Sequence, residues 1–124
     1  MKELTKAEEQ IMQILWKLKY AFVNDIIEEM PNPKPAYNTV STIVRILEKK
    51  EFVSHKAYGR THQYFPLIKK KQYTKTYFKK FVNNYFGNSY QQMASFFAKD
   101  NKLSVKDLEE IKTIIDKEIE KQKK

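Results

Sequence analysis

The sequence contains no cysteine among its 124 residues, so disulfide bonds, thiolate metal ligands and cysteine nucleophiles are excluded. Its two histidines, His55 and His62, are too few to complete a metal site by themselves. No nucleophile–base pair, glycine-rich phosphate loop or paired-carboxylate motif stands out. We therefore predict a protein that is not an enzyme, with no metal, no cofactor and no small-molecule substrate.

Long apolar runs are also missing. No stretch approaches the roughly 18 residues that a membrane-spanning helix needs, and the first residues are polar. Hydrophobic residues make up 41% of the chain, which is enough for a packed core. We expect a soluble, cytoplasmic protein.

Acidic residues are absent from one segment of this basic chain. The net charge is +9, and residues 69–88 hold six lysines and no aspartate or glutamate. A concentrated positive charge of this kind favours a polyanionic partner.

Three helices are predicted before residue 50. Thr5 and Glu8 have the spacing of a capping box, so the first helix begins at Lys6, and apolar periodicity continues it to Leu18. A second, short helix is marked by apolar residues at helical spacing: Val23, Ile26, Ile27 and Met30. The proline-rich MPNPKP that follows predicts an extended loop.

The third predicted helix, within AYNTVSTIVRILEKKEF, has one apolar and one polar stripe. The stripe that we expect to face the core is Val40, Ile43, Val44 and Leu47. The opposite stripe is Asn38, Ser41, Thr42, Arg45 and Lys49. Its short hydroxyl and amide side chains can reach base edges and phosphates, and its cations can hold phosphates.

Glycine is scarce, and one of the two glycines lies in HKAYGRTHQYFPL. Aromatic and β-branched residues dominate Val53 to Tyr58 and Thr61 to Phe65, and Gly59 lies between these runs. Glycine supplies the positive φ that a tight hairpin turn requires, so we predict a β-hairpin that ends at Pro66. Lys56 and Arg60 are placed at or near its tip.

The sequence after the hairpin predicts three more helices, the last of which is capped by Ser104 with Asp107. Their apolar stripes are too many to be buried within one chain, which favours dimerisation through this region. The candidate dimerisation residues are Phe78, Phe81, Val82, Tyr85, Met93, Phe96, Phe97, Leu108, Ile111 and Ile115.

The order helix, helix, loop, helix, hairpin is that of a winged helix-turn-helix. We therefore predict a mostly α fold with a small β-hairpin wing: a winged-helix DNA-binding domain over residues 1–68 and a three-helix dimerisation region over residues 69–124. A wide major groove admits one helix, which would be the third. The alternative is a winged-helix protein-interaction module that does not read DNA sequence.

Three stretches carry a family resemblance: LTKAEEQIMQILW, NTVSTIVRILEKKEFV and the wing end QYFPL. In this order and spacing they resemble the penicillinase-repressor family of the BlaI, MecI and CopY type, over essentially the whole chain. The resemblance implies a homodimeric winged-helix repressor that binds a dyad operator in double-stranded DNA. In many members a membrane-bound sensor protease triggers cleavage in the C-terminal region, and the regulated genes often confer antibiotic resistance.

By position, Thr39 and Thr42 match threonines that face DNA in the family, and Arg60 matches a basic residue of the wing. With the polar stripe and the wing this gives nine candidate DNA-binding residues: Tyr37, Asn38, Thr39, Ser41, Thr42, Arg45, Lys49, Lys56 and Arg60.

Three positions depart from the family pattern. Ile46 stands where a basic residue is common, and Glu51 stands where glycine usually ends the third helix, so we expect a helix end of different shape. The bond aligned with the cleavage site, Asn–Phe in the family, is Phe96–Phe97 here. The copper-responsive branch carries a cysteine cluster that this chain lacks, which excludes copper sensing by that route.

Overall fold

The computed structural model describes residues 1–124 and contains six helices and one two-stranded antiparallel sheet. In chain order the elements are α1 Lys6–Leu18, α2 Val23–Glu28, α3 Tyr37–Lys49, β1 Val53–Tyr58, β2 Thr61–Pro66, α4 Lys70–Phe86, α5 Tyr90–Ala98 and α6 Val105–Lys123. The predicted mostly helical fold with one β-hairpin is confirmed. None of the helices has both the length and the apolar character needed to cross a membrane.

The chain divides into two compact units, Met1–Lys75 and Thr76–Lys124. Tyr73, which follows the domain boundary predicted after residue 68, belongs to the N-terminal unit. Its ring lies 5.6 Å from that of Trp16 and 5.9 Å from that of Phe52, and its hydroxyl donates a 3.0 Å hydrogen bond to Glu9.

The N-terminal unit has one hydrophobic core. Its buried members come from α1, α2, α3 and the hairpin, and from the segments that join them. They are Ile11, Met12, Leu15, Ala21, Val23, Ile26, Val40, Val44, Leu47, Phe52, Val53 and Tyr64.

The start of α1 is held by the predicted capping box. The Glu8 amide donates to the Thr5 hydroxyl at 3.2 Å, and the Thr5 amide donates to the Glu8 carboxylate at 2.8 Å. Glu8 is only 4% exposed and lies 2.7 Å from the ammonium group of Lys50. Burial raises the pKa of Glu8, but the hydrogen bonds from Lys50 and Thr5 outweigh burial and hold it below its usual value.

The end of α3 is a Schellman motif. The Phe52 amide donates to the Leu47 carbonyl at 3.0 Å, and the Glu51 amide donates to the Glu48 carbonyl at 3.0 Å. Glu51 has φ 66°, the left-handed conformation that glycine adopts without a Cβ clash. Glu51 thus takes the backbone conformation expected of glycine, and its presence does not produce another type of helix end.

The hairpin pairs Val53 with Pro66 through to Tyr58 with Thr61. Gly59, with φ 63°, and Arg60 form its two-residue turn, and glycine at the first turn position is typical of a type II′ turn. On the other edge of β2, Ala21 and Tyr64 exchange backbone hydrogen bonds of 2.9 and 2.8 Å. Strand β2 is therefore held from both sides.

The C-terminal unit has well-formed helix starts but little core. Ser89 caps α5, and Ser104 with Asp107 forms the predicted capping box of α6. Neither α5 nor α6 contains a buried residue, and Val82 is the single buried side chain of α4.

Candidate nucleic-acid interface

One face of α3 is exposed and rich in polar groups. Because α3 buries Val40, Val44 and Leu47, the helical repeat turns the opposite side outward. The exposed residues of α3 are Tyr37, Asn38, Thr39, Thr42, Arg45, Ile46 and Lys49. None of them is acidic, so this face is compatible with a polyanion.

Ser41 is a correction to the predicted DNA-binding set. It is only 9% exposed and belongs to the buried side of α3. A helix turns about 100° per residue, so Ser41 lies about 60° from Asn38, on the side of Val44. Spacing alone placed it on the polar stripe, but packing turns its small side chain inward.

The amino end of α3 lacks a side-chain cap. Ala36 occupies the N-cap position, and no side chain accepts from the first amide groups. The first turn contains no acidic residue either. Unpaired amides and the helix dipole make such an end favourable for an anion such as phosphate.

The wing presents its two predicted cations at the surface. Lys56 and Arg60 are both exposed. The ammonium group of Lys56 lies 5.4 Å from the centre of the Tyr58 ring. The hairpin thus exposes one cation on β1 and another in its turn.

A polar cluster whose contact with α3 sequence reasoning missed joins that helix to the hairpin. The carboxylate of Glu48 is hydrogen-bonded to Nδ1 of His55, whose ring stacks on His62 with centroids 4.0 Å apart. Burial raises the pKa of the Tyr64 hydroxyl, and the charge of Glu48 adds to this effect, whereas the positive charge of Arg45 opposes it.

The register of the hairpin brings this cluster together. His55 is paired with Tyr64, and His62 with Ala57, so the three ring side chains share one face of the sheet. The alternation of side chains along each strand could have indicated that these rings share one face. The contact of His55 with Glu48 of α3 could be recognised only in the three-dimensional structure.

The candidate dimerisation residues divide into three groups. Phe78, Phe81, Tyr85, Phe96 and Ile115 are exposed, with values from 37% for Phe81 to 74% for Tyr85. The half-buried members are Met93, Phe97, Leu108 and Ile111. Val82 is fully buried within the chain although Phe78, Phe81 and Tyr85 of the same helix are exposed, so it is a core residue of its own chain.

Comparison with known proteins decides the family. The model of the penicillinase repressor family matches residues 4–117. The chain belongs to the penicillinase repressor family. The resemblance noted in three short stretches is thus confirmed over most of the sequence.

Individual members of the family are similar along nearly their whole length. The methicillin resistance regulatory protein MecI of Staphylococcus aureus strain N315 is 30% identical over 116 residues, 93% of this chain and 94% of that protein. A penicillinase repressor of Staphylococcus aureus is 28% identical over 91% of this chain and 90% of that protein.

A solved structure supports the winged-helix assignment. The solution structure of the DNA-binding domain of the repressor BlaI matches with a TM-score of 0.50 and 28% identity, over 59% of this chain and 94% of that one. Members of the family are transcriptional repressors, and this member has the fold of a DNA-binding domain.

Proposed function

We propose that this protein represses transcription by binding a dyad operator as a homodimer. Helix α3 reads base edges in the major groove, and the hairpin contacts the adjacent backbone. The observation that carries the proposal is the exposed face of α3, which combines short polar side chains with Arg45 and Lys49 and no acidic group.

The other charges of the unit support the same orientation. The amino end of α3 has amides available for a phosphate. Arg60 lies in the turn at the far end of the hairpin. Phosphate contacts at two separate points would fix the position of α3 in the groove, and residues such as Thr42 would then select the bases.

The test is fluorescence anisotropy with duplexes that tile the gene's own upstream region, beside scrambled duplexes, over a salt series. We expect tight binding to one dyad-containing duplex that persists near physiological salt. Thr42→Ala should change the preferred bases, whereas Arg60→Ala should weaken all duplexes and reduce the log–log salt slope by about 0.9 per lost phosphate contact.

Lys106→Ala is the matched control, because it removes an exposed lysine of the C-terminal unit and should leave the sequence preference unchanged. Equal binding to every duplex that disappears at physiological salt would favour the protein-interaction module instead. Unchanged affinity and preference in both Thr42→Ala and Arg60→Ala would show that the reading face is wrongly assigned.

The homodimer is supported by the poor burial within the C-terminal unit. Units this short need most of their apolar side chains inside to remain folded. Here Tyr85 is 74% exposed, Phe96 is 73% exposed and Ile115 is 51% exposed. A second copy would bury these side chains, and a twofold dimer also matches the symmetry of a dyad operator.

Analytical ultracentrifugation tests the dimer directly. The full chain should sediment as a dimer, and Ile115→Asp should shift it toward the monomer because a charge would be buried at the contact. Tyr20→Asp is the control, since Tyr20 is 61% exposed but belongs to the N-terminal unit. A monomeric wild type at tens of micromolar would refute the dimer.

The proposal includes derepression by proteolysis at Phe96–Phe97, triggered by a membrane-bound sensor protease. Helix α5 has nine residues and no buried side chain, so its local unfolding into the extended form that a protease needs would cost little. A chain truncated after Phe96 lacks α6 and should sediment as a monomer. A truncated chain that remains a stable dimer would rule out this mechanism.

A further inference from the structure

Ile46 is out of place on the exposed face of α3. It is the one aliphatic side chain among the exposed residues of that helix, and it is 40% exposed. Neighbouring Ile43 packs against the core, but Ile46 does not belong to that cluster. The fold therefore does not require an apolar side chain at position 46.

Three exposed residues of α3 that carry methyl groups lie along one side of the helix. Thr39, Thr42 and Ile46 are spaced i, i+3 and i+7, so they lie within one narrow sector of the helix and all three are exposed. Scattered exposed apolar residues are common on protein surfaces. Ile46, however, lies between the threonines and Lys49 on the face that we assign to the major groove.

Isoleucine can recognise only one feature of the major groove. It has no donor or acceptor for the polar base edges, and it cannot neutralise a phosphate. Thymine alone presents an apolar group there, its C5-methyl. A basic side chain at this position would instead contact a phosphate or the hydrogen-bond acceptors of guanine.

We propose that Ile46 is a specificity-determining residue that packs against the C5-methyl group of a thymine in each operator half-site. The inference rests on the proposed function and adds to it the base that α3 prefers at one position. Burial of one methyl group is worth about fourfold in affinity per half-site. The operator of this protein should therefore require thymine where relatives with a basic residue at that position do not.

The experiment replaces thymine by deoxyuridine, which removes only the methyl group. The full-length protein first selects its preferred duplex from a random library. Each thymine of that duplex is then replaced in both half-sites, and the affinities of wild type and Ile46→Ala are measured by anisotropy. We expect one symmetric pair of thymines whose replacement lowers the affinity of the wild type by about 15-fold, the square of the single-methyl effect. The same replacement should leave the affinity of Ile46→Ala nearly unchanged.

Thr42→Ser provides the matched control, because it removes the threonine methyl group and keeps the hydroxyl. Uracil sensitivity that persists in Ile46→Ala, or that is lost only in Thr42→Ser, would overturn the assignment to Ile46. So would a wild type that tolerates uracil everywhere while still binding its selected duplex tightly. A library that yields no preferred sequence would instead overturn the proposed function, and this inference with it.

Discussion

Replacing Glu51 by glycine should stabilise the N-terminal unit. Glu51 has φ 66° in the Schellman motif that ends α3, and it is exposed, with its amide bonded to Glu48. An L-residue in the left-handed region costs about 1–2 kcal/mol relative to glycine. Glycine also lowers the free energy of unfolding by roughly 0.4–1 kcal/mol, because it increases the conformational freedom of the unfolded chain. The net gain for Glu51→Gly is therefore about 0.5–1 kcal/mol.

The assay uses Trp16, the single tryptophan of the chain, which lies in the N-terminal unit. Its fluorescence in urea and thermal unfolding follows this unit within the full-length protein. A gain of 0.5–1 kcal/mol corresponds to roughly 3–6 °C in the unfolding midpoint of a unit of this size.

Glu51→Ala distinguishes the effect of backbone strain from that of the carboxylate charge, because alanine keeps the Cβ and removes the charge. We expect it to be near wild type in stability. If alanine stabilised as much as glycine, the charge of Glu51 rather than its backbone conformation would be responsible. If glycine failed to stabilise at all, the strain argument for this helix end would be refuted.

Three further changes test other features by the same fluorescence assay. Glu8→Gln should destabilise by about 2 kcal/mol at pH 7, because it leaves the half-buried Lys50 without its partner. The pKa of Glu8 is lowered in the folded state, so its contribution to stability is complete above the unfolded-state pKa and is lost as the pH falls through the folded-state pKa. The difference between variant and wild type should therefore shrink in acid, and a difference that stays constant would contradict this reasoning. Gly59→Ala should cost about 1 kcal/mol through its φ of 63° alone, since a Cβ there meets no atom within 4 Å, and an unchanged midpoint would contradict the strained turn. Tyr73→Phe should cost about 1 kcal/mol by removing the hydrogen bond to Glu9, and a loss no larger than that of an exposed control in the same unit, Tyr20→Phe, would argue against a place for Tyr73 in this unit.

Local signals explain which elements could be predicted from the sequence. Helix α1 has the predicted bounds because Thr5 and Glu8 mark its start within four residues of chain. The hairpin was recognisable because Gly59 stands between two runs of β-forming residues. Both features depend on neighbours in sequence, which periodicity and turn chemistry describe well.

Packing between distant segments explains what the sequence did not reveal. Ser41 and Val82 lie at the borders of their helical stripes, and only the surrounding elements decide that both are buried. Glu51 adopts a conformation disfavoured by its own propensity because Phe52 must enter the core. The boundary near Lys75 depends on the contact of Tyr73 with Trp16, which are far apart in the chain. The DNA contacts of the exposed candidates stay predictions.

The pairing of β2 on both edges has a consequence for the behaviour of the protein at high concentration. Because Ala21 is paired with Tyr64, the outer edge of β2 is interrupted, and the uninterrupted open edge of this sheet belongs to β1, Val53–Tyr58. Open edges are templates on which sheets of separate molecules join into aggregates. The edge of β1 is only six residues long and carries Lys56, whose charge opposes the stacking of identical strands. The wing can therefore project from the domain and remain accessible without becoming a site of fibril growth.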